Sequence, residues 1–270
     1  MEIKTHILKW KLCLSLAAII LLASCNKQNV DTNTVYLPVV EGYLLPGHSI
    51  TVKLYQQKAL TDTALYGAPI TGLQVYVSDG STSVQLTESS KGIYTYNNQN
   101  FLVAGKTYSL NFKYLTNIVT AKTLMPSKPT NFTSQYGTLY ISSTSGTANN
   151  TTTLNRFSWD NPDTLNHVLV FNNPDGAAFP LRSFRNSPAP NFEVNTNRTS
   201  FYNVTASTFP YYGHYQVILL RVNQEYIDLM NSNTSSSTSQ TLSNVATNIV
   251  NGFGIFTAMQ ADTVSLNVLD

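Results

Sequence analysis

From Val35 onward the chain consists of short segments in which β-branched and aromatic residues alternate with polar residues. A period of two predicts β-strands, because successive side chains of a strand point to opposite faces of a sheet. Residue pairs that favour tight turns, such as Pro46-Gly47 and Asp79-Gly80, separate these segments. The strands predicted in the first half are Val35–Leu44, His48–Tyr55, Leu73–Ser78, Ser83–Thr87, Gly92–Asn97, Thr107–Tyr114 and Ile118–Leu124.

The second half repeats the pattern and adds one helix. Its predicted strands are Asn131–Ser142, Leu154–Asp160, His167–Asn172, Ser200–Ala206, Gly213–Asn223, Gly252–Met259 and Thr263–Leu269. Many short strands with regular turns predict an all-β fold of two antiparallel β-sandwich domains of the immunoglobulin or fibronectin III type. The helix is predicted at Gln224–Met230 with Asn223 as its N-cap, and the Ser/Thr-rich segment Ser232–Ser243 is predicted to be a linker.

The order of strands after residue 129 resembles a fibronectin III sandwich. A strand with Trp159 comes first, the Val168–Val170 run follows, and a strand led by Tyr215 comes later. The spacing before Tyr215 departs from the usual tyrosine corner of that fold.

A proline pair marks the predicted domain boundary. Met125–Pro129 holds two prolines, which oppose ladder pairing. Every basic residue from Cys25 to Lys128 is lysine and every one after it is arginine. We therefore predict a tether at 25–34, an N-terminal sandwich at 35–128 and a C-terminal sandwich at 129–270.

Residues 1–24 have the pattern of a bacterial lipoprotein signal peptide. A basic stretch precedes the apolar run Leu12–Ala23, which is shorter than the roughly 20 residues that span a bilayer. Leu22-Ala23-Ser24-Cys25 resembles the lipobox, in which the cysteine thiol takes a diacylglycerol before cleavage makes that cysteine the first residue. The resemblance implies an acylated Cys25, with chains such as palmitate, as the membrane anchor. An ordinary secretory signal with a cysteine near its cleavage site is the alternative.

Composition limits the partners and the chemistry. Charged residues make up 11% of the chain, and its net charge of +2 comes from the leader, so the mature chain has no electrostatic attraction for nucleic acid. A hydrophobic content of 42% is sufficient for a folded core. Cys13 leaves with the leader and Cys25 is acylated, so no disulfide, thiol nucleophile or thiolate metal ligand is expected.

Motifs of hydrolytic, zinc or phosphate-binding enzymes are missing from the sequence. His167 and His214 each begin a predicted strand, so antiparallel pairing would place their rings at opposite ends of the sheet. The loops Asp160–Asp163 and Asn172–Gly176 are rich in oxygen ligands, but their Asn, Pro and Gly residues favour turns over a calcium site. We predict no catalytic residue, metal or cofactor.

One stretch has the composition of a binding surface. Ala177–Val194 lacks strand periodicity and carries aromatic and arginine side chains, which are typical of binding hot spots. A companion segment, Phe209–Tyr212, adds further rings. Alternatively, these rings cap the core of the sandwich. The candidate surface for a glycan or peptide ligand comprises Phe179, Arg182, Phe184, Arg185, Phe192, Tyr211 and Tyr212.

Four short motifs together resemble a Bacteroidetes-type family of outer-membrane lipoproteins with a domain of unknown function, commonly encoded beside TonB-dependent transporters. They are Val39–Tyr43, Gly92–Tyr94, Gly105–Tyr108 and Asn248–Phe256. The resemblance implies a location at the outer membrane, on its periplasmic or extracellular face, and a TonB-dependent outer-membrane transporter as partner.

Three functions compete at this level. The leading hypothesis is a non-enzymatic accessory or ligand-binding lipoprotein of TonB-dependent uptake. A fimbrillin-like structural subunit is the second, and it requires an Arg or Lys processing site ahead of a releasable first strand. The third is an enzyme whose turnover depends on Asp160, Asp163 or His167.

Overall fold

Two sheets make up the first part of the fold. The computed structural model describes residues 37–58, 63–142, 152–182, 187–234 and 246–270, with the backbone alone at 233 and 234. The strands are β1 (Pro38–Leu44), β2 (Ile50–Gln56), β3 (Val75–Ser78), β4 (Ser83–Ser90), β5 (Ile93–Tyr96), β6 (Thr107–Tyr114) and β7 (Asn117–Leu124). The first sheet has the order β1-β2-β5-β4. β4 also pairs with β3, which begins the second sheet, of order β3-β6-β7.

The first core is formed by the side chains on one face of these strands, where every second residue is buried. Val40 and Leu44 of β1 are buried, as are Ile50, Val52 and Leu54 of β2, whereas the residues between them are partly exposed. Gly47 and Gly80 have positive φ, as the turns predicted there require.

The rest of the chain forms a second sandwich. The strands are β8 (Thr133–Ser134), β9 (Thr138–Tyr140), β10 (Asn155–Ser158), β11 (His167–Asn172), β12 (Phe192–Asn195), β13 (Phe201–Val204), β14 (Gly213–Val222) and β15 (Phe253–Leu269). The smaller sheet has the order β13-β10-β8. The facing sheet has the order β12-β11-β14-β15, and β9 pairs parallel with the end of β15. The all-β fold of β-sandwich sheets predicted from the sequence is confirmed.

Tyr215 forms a tyrosine corner after all. Its ring is fully buried, and its hydroxyl donates to the Tyr211 carbonyl oxygen at 2.8 Å. This bond back to the backbone just upstream is the defining contact of the corner. The departure expected from the spacing is therefore wrong, because a separation of four positions between the donor and the acceptor is enough to close the corner.

β15 belongs to both sandwiches. Its first part runs parallel to β1, from the pair Val39↔Phe253 to the pair Leu44↔Ala258. From Met259 onward it pairs antiparallel with β14. The sequence predicted two separate strands here, but the intervening residues 260–262 continue the ladder with β14, so the strand is unbroken.

Several other elements differ from the prediction in their presence or in their bounds. β12 was not predicted, and the predicted strand Asn131–Ser142 is reduced to the short strands β8 and β9. The helix, α1 (Gln224–Thr234), continues past Met230 into the predicted linker.

Asn223 lies at the N-cap position of α1, where its carbonyl oxygen accepts from the Tyr226 N–H at 3.2 Å. Its side-chain amide instead donates to the Leu124 carbonyl of β7 at 2.8 Å.

The predicted leader, the tether and Cys25 lie outside the described residues. Leu37–Asp270 form one compact unit. The boundary at 128/129 stays a prediction. Within that unit, a first hydrophobic cluster comprises mainly residues before 126 and a second comprises residues from Phe132 onward, while Phe256 and Ala258 of β15 pack in the first.

A third cluster joins the sandwiches. Val168 and Leu220 on the outer face of the second sandwich pack with Ile227 of α1, and Tyr43 and Leu45 of the first sandwich pack against them. Hydrogen bonds supplement this contact: the Glu225 carboxylate accepts from the hydroxyls of Thr123 at 2.8 Å and Thr257 at 3.1 Å.

The close approach of β15 to β1 requires a glycine. Gly254 has a φ of +96°, and a Cβ there would lie 2.0 Å from the Val40 carbonyl oxygen. Backbone atoms cannot yield as a flexible side chain can, so any larger residue would push the two strands apart.

Replacing Gly254 with alanine should destabilise the fold strongly. The Gly80→Ala variant is the matched control, because Gly80 also has a positive φ (+89°) but open space around its Cβ position. We expect a loss of about 1 kcal/mol in the free energy of unfolding for Gly80→Ala from backbone strain alone. Gly254→Ala should lose at least about 3 kcal/mol, measured by urea denaturation. Equal losses would show that the β1–β15 contact tolerates a methyl group.

Candidate functional site

A surface pocket lies at one end of the second sandwich, between the start of β12 and the connection from β13 to β14. Its volume is about 350 Å³. Apolar side chains form most of its lining, and hydroxyl groups and one guanidinium complete it. The lining residues are Arg182, Pro188, Ala189, Phe192, Ser207, Thr208 and Pro210.

The two segments singled out in the sequence meet beside this pocket. Pro180 and Tyr211 form an antiparallel bridge. The Leu181 N–H donates to the Pro210 carbonyl at 3.0 Å, and the Tyr212 N–H donates to the Phe179 carbonyl at 2.8 Å. Residues of the irregular stretch are thereby fixed against the strand-like companion segment.

Phe192 connects the pocket to the core. Its ring stacks on the buried Phe171 ring, with centroids 4.6 Å apart and planes 13° apart. Phe209 packs edge-on against Phe171 at 5.7 Å. Because Phe192 is only half-buried, its ring both caps the core and lines the pocket.

Tyr211 is not a surface residue. Only 2% of it is exposed, and its hydroxyl donates to the Pro188 carbonyl at 2.9 Å. The prediction that it belongs to a binding surface is therefore corrected: the pairing with Pro180 turns its ring inward, and it supports the pocket wall from within. For this residue the core-capping alternative is right.

The other predicted surface residues have different positions. Phe179 is 64% exposed. Tyr212 is half-buried, and the Ile141 carbonyl oxygen at 2.8 Å and the Asp270 carboxylate at 3.1 Å share its single hydroxyl proton. Burial and that carboxylate raise the pKa of Tyr212. Phe184 and Arg185 lie outside the described residues.

Arg182 supplies the only charge among the described residues that line the pocket. The side chain is partly exposed, and its Nη2 donates to the Ser207 carbonyl oxygen at 3.4 Å. Leu181 before it is buried in the second core, so the backbone that carries the guanidinium is anchored. The adjoining turn is closed by the Thr208 N–H, which donates to the Thr205 carbonyl at 3.1 Å.

Comparison with known protein families identifies the family to which the chain belongs. The family model described as "Domain of unknown function (DUF4249)" matches residues 27–265, nearly the whole length. The chain belongs to the DUF4249 family. The resemblance to a family with a domain of unknown function, noted in the sequence, is thereby confirmed at this level. No curated protein matches the chain.

Two solved structures are similar to this DUF4249 protein. The FN1–FN3 domains of chicken CNTN1 share 11% identity at a TM-score of 0.30, with 86% of this chain and 67% of that chain covered. Trypsin-activated alpha-2-macroglobulin from Escherichia coli shares 13% identity at a TM-score of 0.22, with 69% of this chain and 14% of that chain covered. In the described part of the chain, no helix combines the length and the apolar character needed to cross a membrane.

The DUF4249 fold also forms a tyrosine and carboxylate cluster that the sequence did not reveal. The rings of Tyr43 and Tyr226 meet edge-on at 6.3 Å, and the Tyr226 hydroxyl donates to the Glu193 carboxylate at 2.8 Å. Glu41 lies nearby, paired with Lys53 at 3.0 Å. Burial, and secondly the carboxylate of Glu41, raise the pKa of Tyr43 to about 12. These residues come from β1, β2, β12 and α1, so no local pattern marks them. The contact between Tyr43 and Tyr226 crosses the junction of the two sandwiches.

His167 is a core residue. It is fully buried beside Trp159, with ring centroids 5.8 Å apart. Its Nδ1 lies 3.1 Å from the Leu165 carbonyl oxygen, so this nitrogen carries the proton. Desolvation by burial lowers the pKa of His167 to about 4, and the positive charge of Arg221 acts in the same direction. The hydrogen bond to Leu165 raises the pKa but does not offset these effects.

His214 lies far from His167 on the same sheet. β11 and β14 pair antiparallel, with His167 opposite Arg221 and with His214 at the other end of β14. The predicted separation of the two rings is confirmed.

The oxygen-rich loops are turns, as predicted. The Asn161 side-chain oxygen accepts from the Leu165 N–H at 2.8 Å, and that of Asn173 accepts from the Asp175 N–H at 3.0 Å. Asp175 in turn accepts from the His214 N–H at 2.8 Å. Among the residues that the structure describes, no three His, Cys, Asp or Glu side chains lie close enough to hold a metal ion.

The burial of His167 predicts a loss of stability in acid. Below its ordinary pKa of 6.5 the ring takes a proton in the unfolded chain, whereas in the folded chain it stays neutral down to about pH 4. The unfolded state therefore binds more protons over this window, and stability falls as the pH falls from 6.5 to 4. We expect a contribution of roughly 2 to 3 kcal/mol, measured by urea denaturation at several pH values.

A His167→Asn variant should lose this pH dependence, whatever its stability at pH 7. His214→Asn is the matched control and should retain the slope of the parent protein. A His167→Asn slope as steep as that of the parent would mean that other groups cause the acid sensitivity.

Proposed function

We propose that this DUF4249 protein is a non-enzymatic lipoprotein of the outer membrane that serves a TonB-dependent uptake system as a ligand-binding accessory component. The observation that carries this proposal is the pocket beside Phe192. Its volume of about 350 Å³ is in the range of small-molecule sites, and it combines an apolar floor with a few polar groups at the rim.

The surroundings of the titratable side chains favour binding over catalysis. His167 is sealed from solvent, so it cannot contact a substrate. The carboxylate of Asp160 accepts from the Asn131 amide at 2.6 Å and the Thr130 hydroxyl at 3.3 Å, which holds a loop end in place. Both side chains thus have structural roles that account for their positions.

Anchoring is supported by the lipobox-like tetrad Leu22-Ala23-Ser24-Cys25 and by the polar segment Asn26–Thr34 that follows it. Each buried methylene contributes about 0.8 kcal/mol, and stable attachment needs more than one acyl chain. Several acyl chains on Cys25 would therefore hold the two sandwiches at the membrane without a spanning helix.

Replacing Cys25 should release the protein from the membrane. In a bacterial host that acylates lipoproteins, we expect Cys25→Ser to move from the detergent-soluble membrane fraction to the soluble fraction or to stay uncleaved. Cys13→Ser is the matched control and should fractionate like the parent chain. Mass spectrometry should find the acyl groups on an N-terminal Cys25. An unmodified amino terminus, or equal fractionation of both variants, would contradict the anchor.

Purification of the native lipoprotein from detergent-solubilised outer membrane should recover a TonB-dependent transporter in stoichiometric amount. An unrelated lipoprotein with the same tag controls for contamination. Recovery of the protein alone, or of polymers of itself, would contradict the accessory role and favour the fimbrillin-like subunit. The pairing of β1 weighs against that subunit, because release of a first strand would break ladders with both β2 and β15.

A further inference from the structure

We infer that the end of the first sandwich at which β1 begins rests on the lipid bilayer, with Leu115, Ile118 and Val250 in the boundary between the head groups and the acyl chains. The inference rests on the proposed function in one respect, the acylation of Cys25. It adds a second membrane contact, made by the folded part of the chain, and with it a preferred orientation of the protein on the membrane.

Three aliphatic side chains form an exposed apolar group, called the apolar rim below. The exposed fractions are 62% for Leu115, 57% for Ile118 and 58% for Val250. Val250 and Thr120 exchange two backbone hydrogen bonds, of 2.8 and 3.3 Å, so their side chains lie on one face of the sheet. Ile118 is two positions before Thr120 on β7 and lies on that face as well, diagonal to Val250. Leu115 belongs to the adjoining turn between β6 and β7.

Leu115 occupies a position that suits its backbone poorly. It is the first of the two residues that connect β6 and β7, and its φ is +53°. A two-residue hairpin turn needs a positive φ at this position, where glycine, asparagine and aspartate are usual. Leucine therefore costs conformational energy there, and its exposed side chain gains no burial in the core. A contact outside the protein accounts for an apolar side chain at such a site.

The apolar rim lies beside the start of β1. The Asn251 side-chain amide donates to the Ile118 carbonyl at 2.8 Å. The next residue, Gly252, is so close to β1 that a Cβ there would lie 2.9 Å from the Pro38 carbonyl oxygen. Pro38 is the first residue of β1. The chain that comes from Cys25 therefore enters the first sandwich next to the apolar rim.

A second exposed group lies at the same end, on the first sheet. Gln56 at the end of β2 pairs with Pro38, and its N–H donates to the Ala68 carbonyl at 2.8 Å. Leu65 and Tyr66, shortly before Ala68, are both exposed. Apolar side chains next to both sheets thus flank the start of β1.

Covalent geometry keeps this end of the fold close to the membrane under the proposed acylation. Leu37 comes twelve residues after Cys25. Even a fully extended backbone of that length spans only about 40 Å. An end held this close meets the bilayer at a high effective concentration, so a small apolar surface is sufficient for contact. The occupant of the apolar rim is therefore the bilayer itself.

The charged neighbours suit a lipid surface. Lys113 is exposed and lies directly opposite Ile118 in the ladder between β6 and β7, so the two side chains share a face. A lysine beside inserted apolar side chains can extend its ammonium group to the lipid phosphates. On the first sheet, the Glu88 carboxylate accepts from the N–H groups of Gly72 at 2.7 Å and Gly92 at 3.0 Å, so its charge is engaged within the protein.

The test places the native, acylated lipoprotein in phosphatidylcholine vesicles that contain spin-labelled phosphatidylcholine as a quencher. A fluorophore is attached to Thr116→Cys, in the turn beside Leu115. Ser81→Cys is the matched control, because Ser81 lies in the turn after β3, at the opposite end of the same sheet. Insertion of the apolar rim to a depth of ~5–10 Å should make quenching at position 116 at least about threefold stronger than at position 81.

Leu115→Asn combined with Ile118→Thr should abolish this excess quenching, while the protein still floats with the vesicles. Asparagine suits the turn and threonine suits a strand, so the thermal midpoint should not fall, whereas a structural role of the two side chains would lower it. Leu124→Thr is the matched control and should leave quenching unchanged. Leu124 is exposed on the same strand and face as Ile118, but at the opposite end.

Equal quenching at positions 116 and 81, or excess quenching that survives the double substitution, would overturn the inference. If the parent floats with the vesicles but neither label is quenched, the anchor stands and the second contact is wrong. Loss of the transporter from the double variant would then assign the apolar rim to a protein partner. A parent that does not float would overturn the acylation of Cys25 and, with it, this inference.

Discussion

The parallel pairing of β1 with the first part of β15 is the contact on which the rest of the fold depends. It joins the first described strand to the last, across more than 200 residues, and it requires Gly254 to lie against the Val40 carbonyl. The two motifs Val39–Tyr43 and Asn248–Phe256 are the two sides of this contact. Asn248 stabilises it further, since its amide side chain donates to the Phe256 carbonyl at 2.7 Å and accepts from the Phe256 N–H at 3.0 Å. Closing so long a loop costs entropy, which the burial and hydrogen bonds of the contact must offset.

The same strand determines where the pocket lies. The second part of β15 pairs along the whole of β14, β14 pairs with β11, and β11 holds β12 at the edge of the sheet. Phe192 is the first residue of β12 and stacks on Phe171 of β11. Tyr215 at the start of β14 ties the companion segment to the same sheet through the Tyr211 carbonyl. The floor and one wall of the pocket are therefore set by ladders and not by loop flexibility, which pre-organises the site.

The sequence predicts those parts of the fold that local pattern determines. The bounds of β11 are the same in the prediction and in the structure. Its side chains alternate between the second core and the third cluster, and the sequence shows this alternation directly. β12 has only four residues and follows an irregular, proline-rich stretch, so no periodicity marks it. The burial of Tyr211 depends on its bridge to Pro180, which is distant in sequence. Composition alone cannot predict whether a tyrosine in such a segment is buried or exposed. The junction tyrosines were missed for the same reason, because residues from four elements meet only in the folded chain.

The balance of charge along the chain bears on how the protein is held at the membrane and how it selects partners. A mature chain with equal numbers of basic and acidic residues has no long-range field of its own, and under the proposed anchoring it needs none, because acyl chains provide the attachment. A strongly basic protein would attract any polyanion over a distance. A chain without net charge selects its partners at contact, through the shape and chemistry of its surfaces, so the fixed Phe192 ring and the proline-lined pocket around it matter more for this protein than its overall field.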